Sequence, residues 1–236
     1  MNRMIAAIMA LLFVAAGLAV GQGMMGPGPF GGMMGWGPMG GSWQYALPGA
    51  KALSIDQISA SVVNYLKATW GRQLKLTEVM EFDNHFYAEV EEAETGIHAF
   101  ELLVNKYTGA ILPEPGPNMM WNTKYGHMGA GMMGGMMMGG PSWGWGGRRG
   151  YSNWPEVNKE MPIPPQKARQ YAQEFLSVWL RGTTAADDAD TFYGYYTIHV
   201  LKDGKIYGML GVNGYTGSVW YHQWHGTFLQ MKELED

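Results

Sequence analysis

The sequence points to an α+β fold built twice: two copies of a unit in which one helix lies on a three- to four-stranded antiparallel sheet, with Gly/Met-rich irregular arms outside it. Three observations carry this expectation. Asn-x-Tyr-Thr-Gly occurs at residues 105–109 and again at residues 213–217. Upstream of each copy the apolar plan recurs, with Tyr65, Leu66, Phe82, Phe86 and Val90 answering to Phe175, Leu176, Phe192, Tyr196 and Val200. The offset is 110 residues for these positions and 108 at the turns, and the two-residue change falls in a hairpin loop, where insertions disturb least.

In the first copy, Ser54 followed by Gln57 is a capping-box signature. Ile55, Ile58, Val62, Tyr65, Leu66 and Thr69 then recur at helical spacing, which predicts a helix of about 16 residues ending at Gly71. The second helix opens on Pro164 and Pro165, where a missing N–H does no harm. It presents Ala168, Tyr171, Ala172, Phe175, Leu176 and Trp179 on one face and closes before Gly182.

Strands follow each helix. Phe86, Ala88 and Val90 alternate with His85, Tyr87 and Glu89, and Tyr196, Ile198 and Val200 with Tyr195, Thr197 and His199, the pattern of antiparallel strands with one face buried. Asp203-Gly204 predicts a two-residue hairpin turn; the first copy has a longer loop there, residues 91–96. Phe100, Leu102, Val104 and Leu210, Val212 begin the next strands, which turn at Thr-Gly into residues 110–112 and 218–221. Units near 60 residues bury too little surface to stand alone comfortably. The helices or sheet edges of the two copies are therefore expected to pack together.

The order helix, strand, strand, strand with a terminal Thr-Gly turn, seen at Thr108-Gly109 and Thr216-Gly217, resembles the PepSY domain family. The resemblance covers residues 54–112 and 164–220. It implies an α+β fold and an extracytoplasmic binding or inhibitory module, since PepSY domains are similar to pieces of metalloprotease propeptides. No catalytic residue comes with it.

Composition divides the chain of 236 residues into a signal peptide (1–21), an arm (22–50), a first unit (51–117), a linker (118–162) and a second unit (163–231). Arg3 supplies the positive start of the signal, residues 5–20 its apolar run, and Ala19 with Gly21 the small residues before a cleavage site. Export to the periplasm, cell envelope or medium follows, with membrane contact only through this segment if it is retained. A formal charge of −4 provides no basic stripe, which excludes nucleic acid as a partner. Cysteine is absent, so thiolate metal sites and disulfides are excluded too.

The candidate chemistry is metal binding. Of 20 methionines, 13 lie in the two glycine-rich tracts. Met119, Met120, Met128, Met132, Met133, Met136, Met137 and Met138, with His127 among them, offer soft thioethers and an imidazole suited to copper as Cu(I). The same tract read as a sticky linker or a sacrificial oxidant sink needs no metal. His222 and His225 form a second candidate pair; on extended backbone they point to opposite faces, and a turn at Gly226 would bring them together with His199 or Met209. His85, His98 and His199 read as solvated or edge-satisfied singletons, and Glu89, Glu91, Glu92 and Glu94 as a solvated acidic face. Residues 119–126 are too bulky for free coil and are expected to dock on the first unit or between the units. With neither a nucleophile elbow nor His-Glu-x-x-His, the chain is expected to be no enzyme. A soft-metal binder, a partner protein for a secreted peptidase, and a self-associating envelope component are the function classes left.

Overall fold

In the computed structural model, which describes residues 49–126 and 160–234, helix α1 (Ile55–Trp70) starts at Ser54. The Ser54 hydroxyl accepts the N–H of Gln57 at 3.3 Å and the Gln57 side chain accepts that of Ser54 at 2.9 Å, so two N–H groups left open at the helix start are satisfied reciprocally. Ile58, Val62 and Leu66, spaced by four, are its buried stripe. Each such side chain taken out of water stabilises by roughly 1.5–3 kcal/mol, more than helix propensity supplies.

Strands β1 (Leu74–Phe82), β2 (Phe86–Glu92), β3 (His98–Val104) and β4 (Ile111–Pro113) follow as an antiparallel meander. A single turn of helix, α2 (Pro117–Met120), comes next. Beyond Glu160, helix α3 (Pro165–Trp179) buries Ala168, Ala172 and Leu176 and stops at Leu180, two residues before Gly182. Then come β5 (Thr184–Ala185), β6 (Asp190–Thr191), β7 (Tyr195–Lys202), β8 (Lys205–Asn213), β9 (Val219–Tyr221) and β10 (Phe228–Glu233). Asp203 and Gly204 adopt φ of 52° and 73°, as a two-residue hairpin with a twist matching its strands requires.

The chain is thus α+β with two antiparallel sheets. Strand order is β10-β1-β2-β3-β4 in one; in the other it is β5-β7-β8-β9, with β6 also on β7. β10 leaves the second sheet and pairs with β1, Met231 opposite Met80. The sequence-based boundary that placed residues up to 231 in the second unit does not follow sheet membership. Residues 118–126 likewise belong with the folded body, since buried Asn118 and Asn122 hydrogen-bond the backbone of Glu101 and Ala99 at 3.0 and 2.7 Å. Thr123 donates to the carbonyl of Tyr193 across the sheets.

Strand alternation decides the layering. Phe86, Ala88, Val90, Phe100, Leu102 and Val104 pack with the α1 stripe, and Tyr196, Ile198, Val200, Leu210 and Val212 with α3. The opposite faces of the two sheets meet each other, where Met80, Phe82 and Tyr87 pack with Met209. Of the expectation that helices or sheet edges would join the halves, the helix part is corrected, since the helices lie outside; the halves meet in a seam between sheet faces and at the edge where β10 pairs with β1. Polar residues on those faces read as solvent-directed from local alternation, but the second sheet covers them. Glu89 is accordingly buried; Glu92, which shares the parity of Val90, is buried instead under Lys124, Tyr125 and Tyr193.

Candidate metal centre in the seam

Three connections meet at one end of the seam. Glu114 follows β4, and its N–H is fixed on the carbonyl of Glu101 at 2.9 Å. Gly116, at φ 76°, lets the chain pass under Trp224, whose ring lies 2.6 Å from where a Cβ would stand. The Trp224 indole N–H donates to Glu114 Oε1 at 2.9 Å.

His222 follows β9, its N–H held by the Met209 carbonyl at 3.0 Å. The backbone turns at once, with His225 N–H on His222 O at 3.4 Å. The turn therefore falls between the two histidines rather than at Gly226, and it puts both rings on one side. Asn84 and Asp83, at the tip of the β1–β2 hairpin, pin this turn through Trp224 O, Gly226 N–H and Thr227 N–H at 2.9–3.0 Å. His225 stacks on Phe82 with centroids 4.4 Å apart, and His222 on Trp224 at 4.8 Å.

The result is a carboxylate and two imidazoles converging in a buried interior. Glu114 Oε1 lies 3.0 Å from His225 Nε2 and 3.5 Å from His222 Nδ1, with side-chain exposures of 0–1 %. Ligand atoms of all three fall within 4.8 Å of one another. Two ligands of one tetrahedral ion, each about 2.0–2.2 Å from it, are roughly 3.3 Å apart, so the spacing suits a shared ion. The close contacts are not aligned as hydrogen bonds: both ring nitrogens of His222, His225 Nε2 and Glu114 Oε2 are buried without a partner. Buried polar atoms are nearly always satisfied, and a cation would satisfy several of these at once.

Electrostatics favour an ionised Glu114 and a neutral His225. Burial by itself would raise the Glu114 carboxyl, but the charge of His222 and the nearby nitrogens of His222 and His225 outweigh it and hold the group below the usual carboxylate range. His85, whose Nε2 lies 2.8 Å from His225 Nδ1, is pushed down to about 3, by burial first and then by His225. Burial also lowers His225. Ionised carboxylate and neutral imidazole are the forms that bind metal.

Of the predicted ligands, the structure brings His222 and His225 together. Met119 and half-exposed Met120 stand on α2. His127, Met128, Met132, Met133, Met136, Met137 and Met138 lie outside the described residues. His199 faces Glu78 at 3.7 Å instead, and Met209 packs in the apolar part of the seam. Sequence reasoning missed Glu114, which no periodicity marks, and set aside His85, whose shared parity with Tyr87 did place it on the face away from α1.

The other end of the seam holds an ion pair. His98 Nδ1 is 2.7 Å from Glu89 and His98 Nε2 is 3.9 Å from Asp190. Burial would lower His98, yet contact with Glu89 and the charges of Glu89 and Asp190 raise it to about 9. Asp190 rises to about 7, through burial and then the charge of Glu89. Raised values mean that the folded state holds these protons more tightly than the unfolded one. Their stabilisation is complete below each group's ordinary value and is lost as pH rises through about 7 for Asp190 and about 9 for His98. Urea midpoints taken from about pH 5 to about pH 10 should fall more steeply in the parent than in His98→Asn; equal slopes would contradict this pairing.

Comparison with family models, with curated proteins and with solved structures finds no match to this chain.

Proposed function

We propose that this chain is an exported, non-enzymatic binding protein made of two PepSY-like copies, and that it holds a transition-metal ion between Glu114, His222 and His225. The duplication is supported by the turns. Asn105 accepts the N–H groups of Tyr107 and Thr108, and Asn213 those of Tyr215 and Thr216, all at 2.8–2.9 Å. Each is followed by a glycine at positive φ, 69° in one and 73° in the other.

The observation that carries the metal reading is the set of buried, unpartnered donor atoms around one carboxylate. Two imidazoles and a carboxylate are borderline donors, suited to zinc, nickel or copper as Cu(II) rather than to the Cu(I) that thioethers prefer. Ligands with side chains 0–1 % exposed leave no face for a substrate, which favours binding over catalysis. Export, and a soft-ion role for the methionine tracts, rest on sequence alone.

Chelator-stripped protein titrated with zinc is expected to take up about one ion per chain, and Glu114→Gln combined with His222→Ala to lose it. At about 1,000 times its Kd the ion should raise the unfolding free energy by about 4 kcal/mol. Equal uptake by parent and double variant would refute the centre. Replacing Met132, Met133, Met136, Met137 and Met138 by leucine should leave zinc uptake intact and abolish only Cu(I) retention.

A further inference from the structure

His85 stands beside this centre without touching Glu114 in any hydrogen bond, and its place is fixed from both sides. Its carbonyl accepts the N–H of Phe82 at 2.9 Å across the hairpin, and its ring leans on that of Phe82 with centroids 5.4 Å apart. Its Nε2 meets His225 Nδ1 at 2.8 Å, and its residue exposure is 0 %. The remaining nitrogen, His85 Nδ1, is buried with no partner.

Two neutral imidazoles joined by one N–H···N bond carry two protons between them, and only two arrangements keep that bond. In the first, His85 donates from Nε2, and the proton of His225 sits on its own Nε2, toward the Glu114 carboxylate 3.0 Å away. In the second, His225 donates from Nδ1 to His85 Nε2, and the proton of His85 moves to its Nδ1. Since His85 Nδ1 lacks a partner in either arrangement, the choice is set at the far side of His225. A carboxylate alone favours the first; a cation needs a bare lone pair on His225 Nε2 and favours the second.

Resting on the metal reading above, we propose that His85 is the positioning residue of the centre: it accepts the Nδ1–H of His225 and so presents His225 Nε2 as a ligand to a borderline divalent ion. The proton count of the histidine pair is the same in both arrangements, so ion entry moves protons within the pair and expels none from it. Outer partners of this kind orient the ring and fix its tautomer.

The test uses the full chain labelled with 15N at histidine, with zinc as the probe. Two-bond 15N–1H spectra should show His225 and His85 as Nε2–H tautomers in stripped protein and as Nδ1–H tautomers after zinc. His85→Phe should weaken zinc binding by about 10- to 100-fold, and His85→Gln, whose side-chain carbonyl accepts the same proton, should recover most of it. Zinc binding by His85→Phe equal to the parent's, or a zinc-loaded parent whose His225 keeps its Nε2–H, overturns the proposal while leaving the metal centre standing. A parent that takes up no zinc overturns the centre itself. Should His85→Phe fail to fold, the parent's tautomers decide alone.

Discussion

Glu101→Leu is expected to cost about 2–6 kcal/mol of stability, enough to unfold a marginal protein, because it strands buried hydroxyls without an acceptor. Glu101 is fully buried at the middle of the seam. Its Oε1 accepts from Tyr87 and Thr197 at 2.9 and 2.7 Å, and its Oε2 from Tyr195 at 2.8 Å. Tyr87 keeps an alternative acceptor in Glu89 at 3.0 Å, which leaves Thr197 and Tyr195 as the orphaned donors, each costing roughly 1–3 kcal/mol. Burial, and after it the charge of Glu114, push the Glu101 carboxyl well above the ordinary carboxylate range. Glutamine keeps a carbonyl oxygen for Tyr87 and Thr197, and the Tyr195 hydroxyl can turn to accept from its NH2 group, so Glu101→Gln should lose no more than about 1 kcal/mol. Urea unfolding of the two variants decides: similar losses would mean that the hydroxyls find other partners.

That the seam is held by such groups explains where the sequence was legible and where it was not. Alternation along β2 and β7 is local, so it showed correctly which side of each strand faces its helix. It is silent on what covers the other side. Glu89 and His85 therefore read as solvated, whereas both are buried in the seam; Glu92 is buried by Lys124, Tyr125 and Tyr193, which local alternation does not announce either. Caps and turns were readable for the same reason of locality: Ser54, Asp203-Gly204 and the two Asn-x-Tyr-Thr-Gly turns each satisfy their own backbone. β10 was not, since six residues of weak alternation carry no mark of a partner strand as remote as β1.

The candidate site follows the same division. The spacing of His222 and His225 drew notice, but a period-2 rule put their rings on opposite faces because it assumed that the strand continues. Tyr221 ends β9, and the turn after it is stabilised by Asp83 and Asn84 in a distant hairpin. Glu114 reaches the histidines through the fold alone. A ligand set gathered from two connections remote in sequence has no one-dimensional signature, in contrast to a helix-borne motif whose spacing is its geometry.

Lys106→Met should be nearly as damaging as Glu101→Leu, for an electrostatic reason. The ammonium is buried between Glu81 Oε1 at 2.7 Å and the Phe82 carbonyl at 2.8 Å, with its charge 5.3 Å above the Phe86 ring. Methionine keeps the stem packed but leaves Glu81, whose side chain is 15 % exposed, facing a carbonyl without its counter-ion. Breaking a buried pair from one side costs about 3–5 kcal/mol; Gln230, which donates to the other oxygen of Glu81 at 2.6 Å, should hold the loss near the lower figure. Adding Glu81→Gln removes the stranded charge, so the double variant should recover to within about 1 kcal/mol of the parent. A double variant no more stable than Lys106→Met would mean that the lysine acts through Phe82 and Phe86, and not through its charge partner. Because Phe82 also stacks on His225 and both variants lose the lysine contact to its carbonyl, zinc binding that stays weak in the double variant despite its recovered stability would separate an effect transmitted through Phe82 from simple loss of stability.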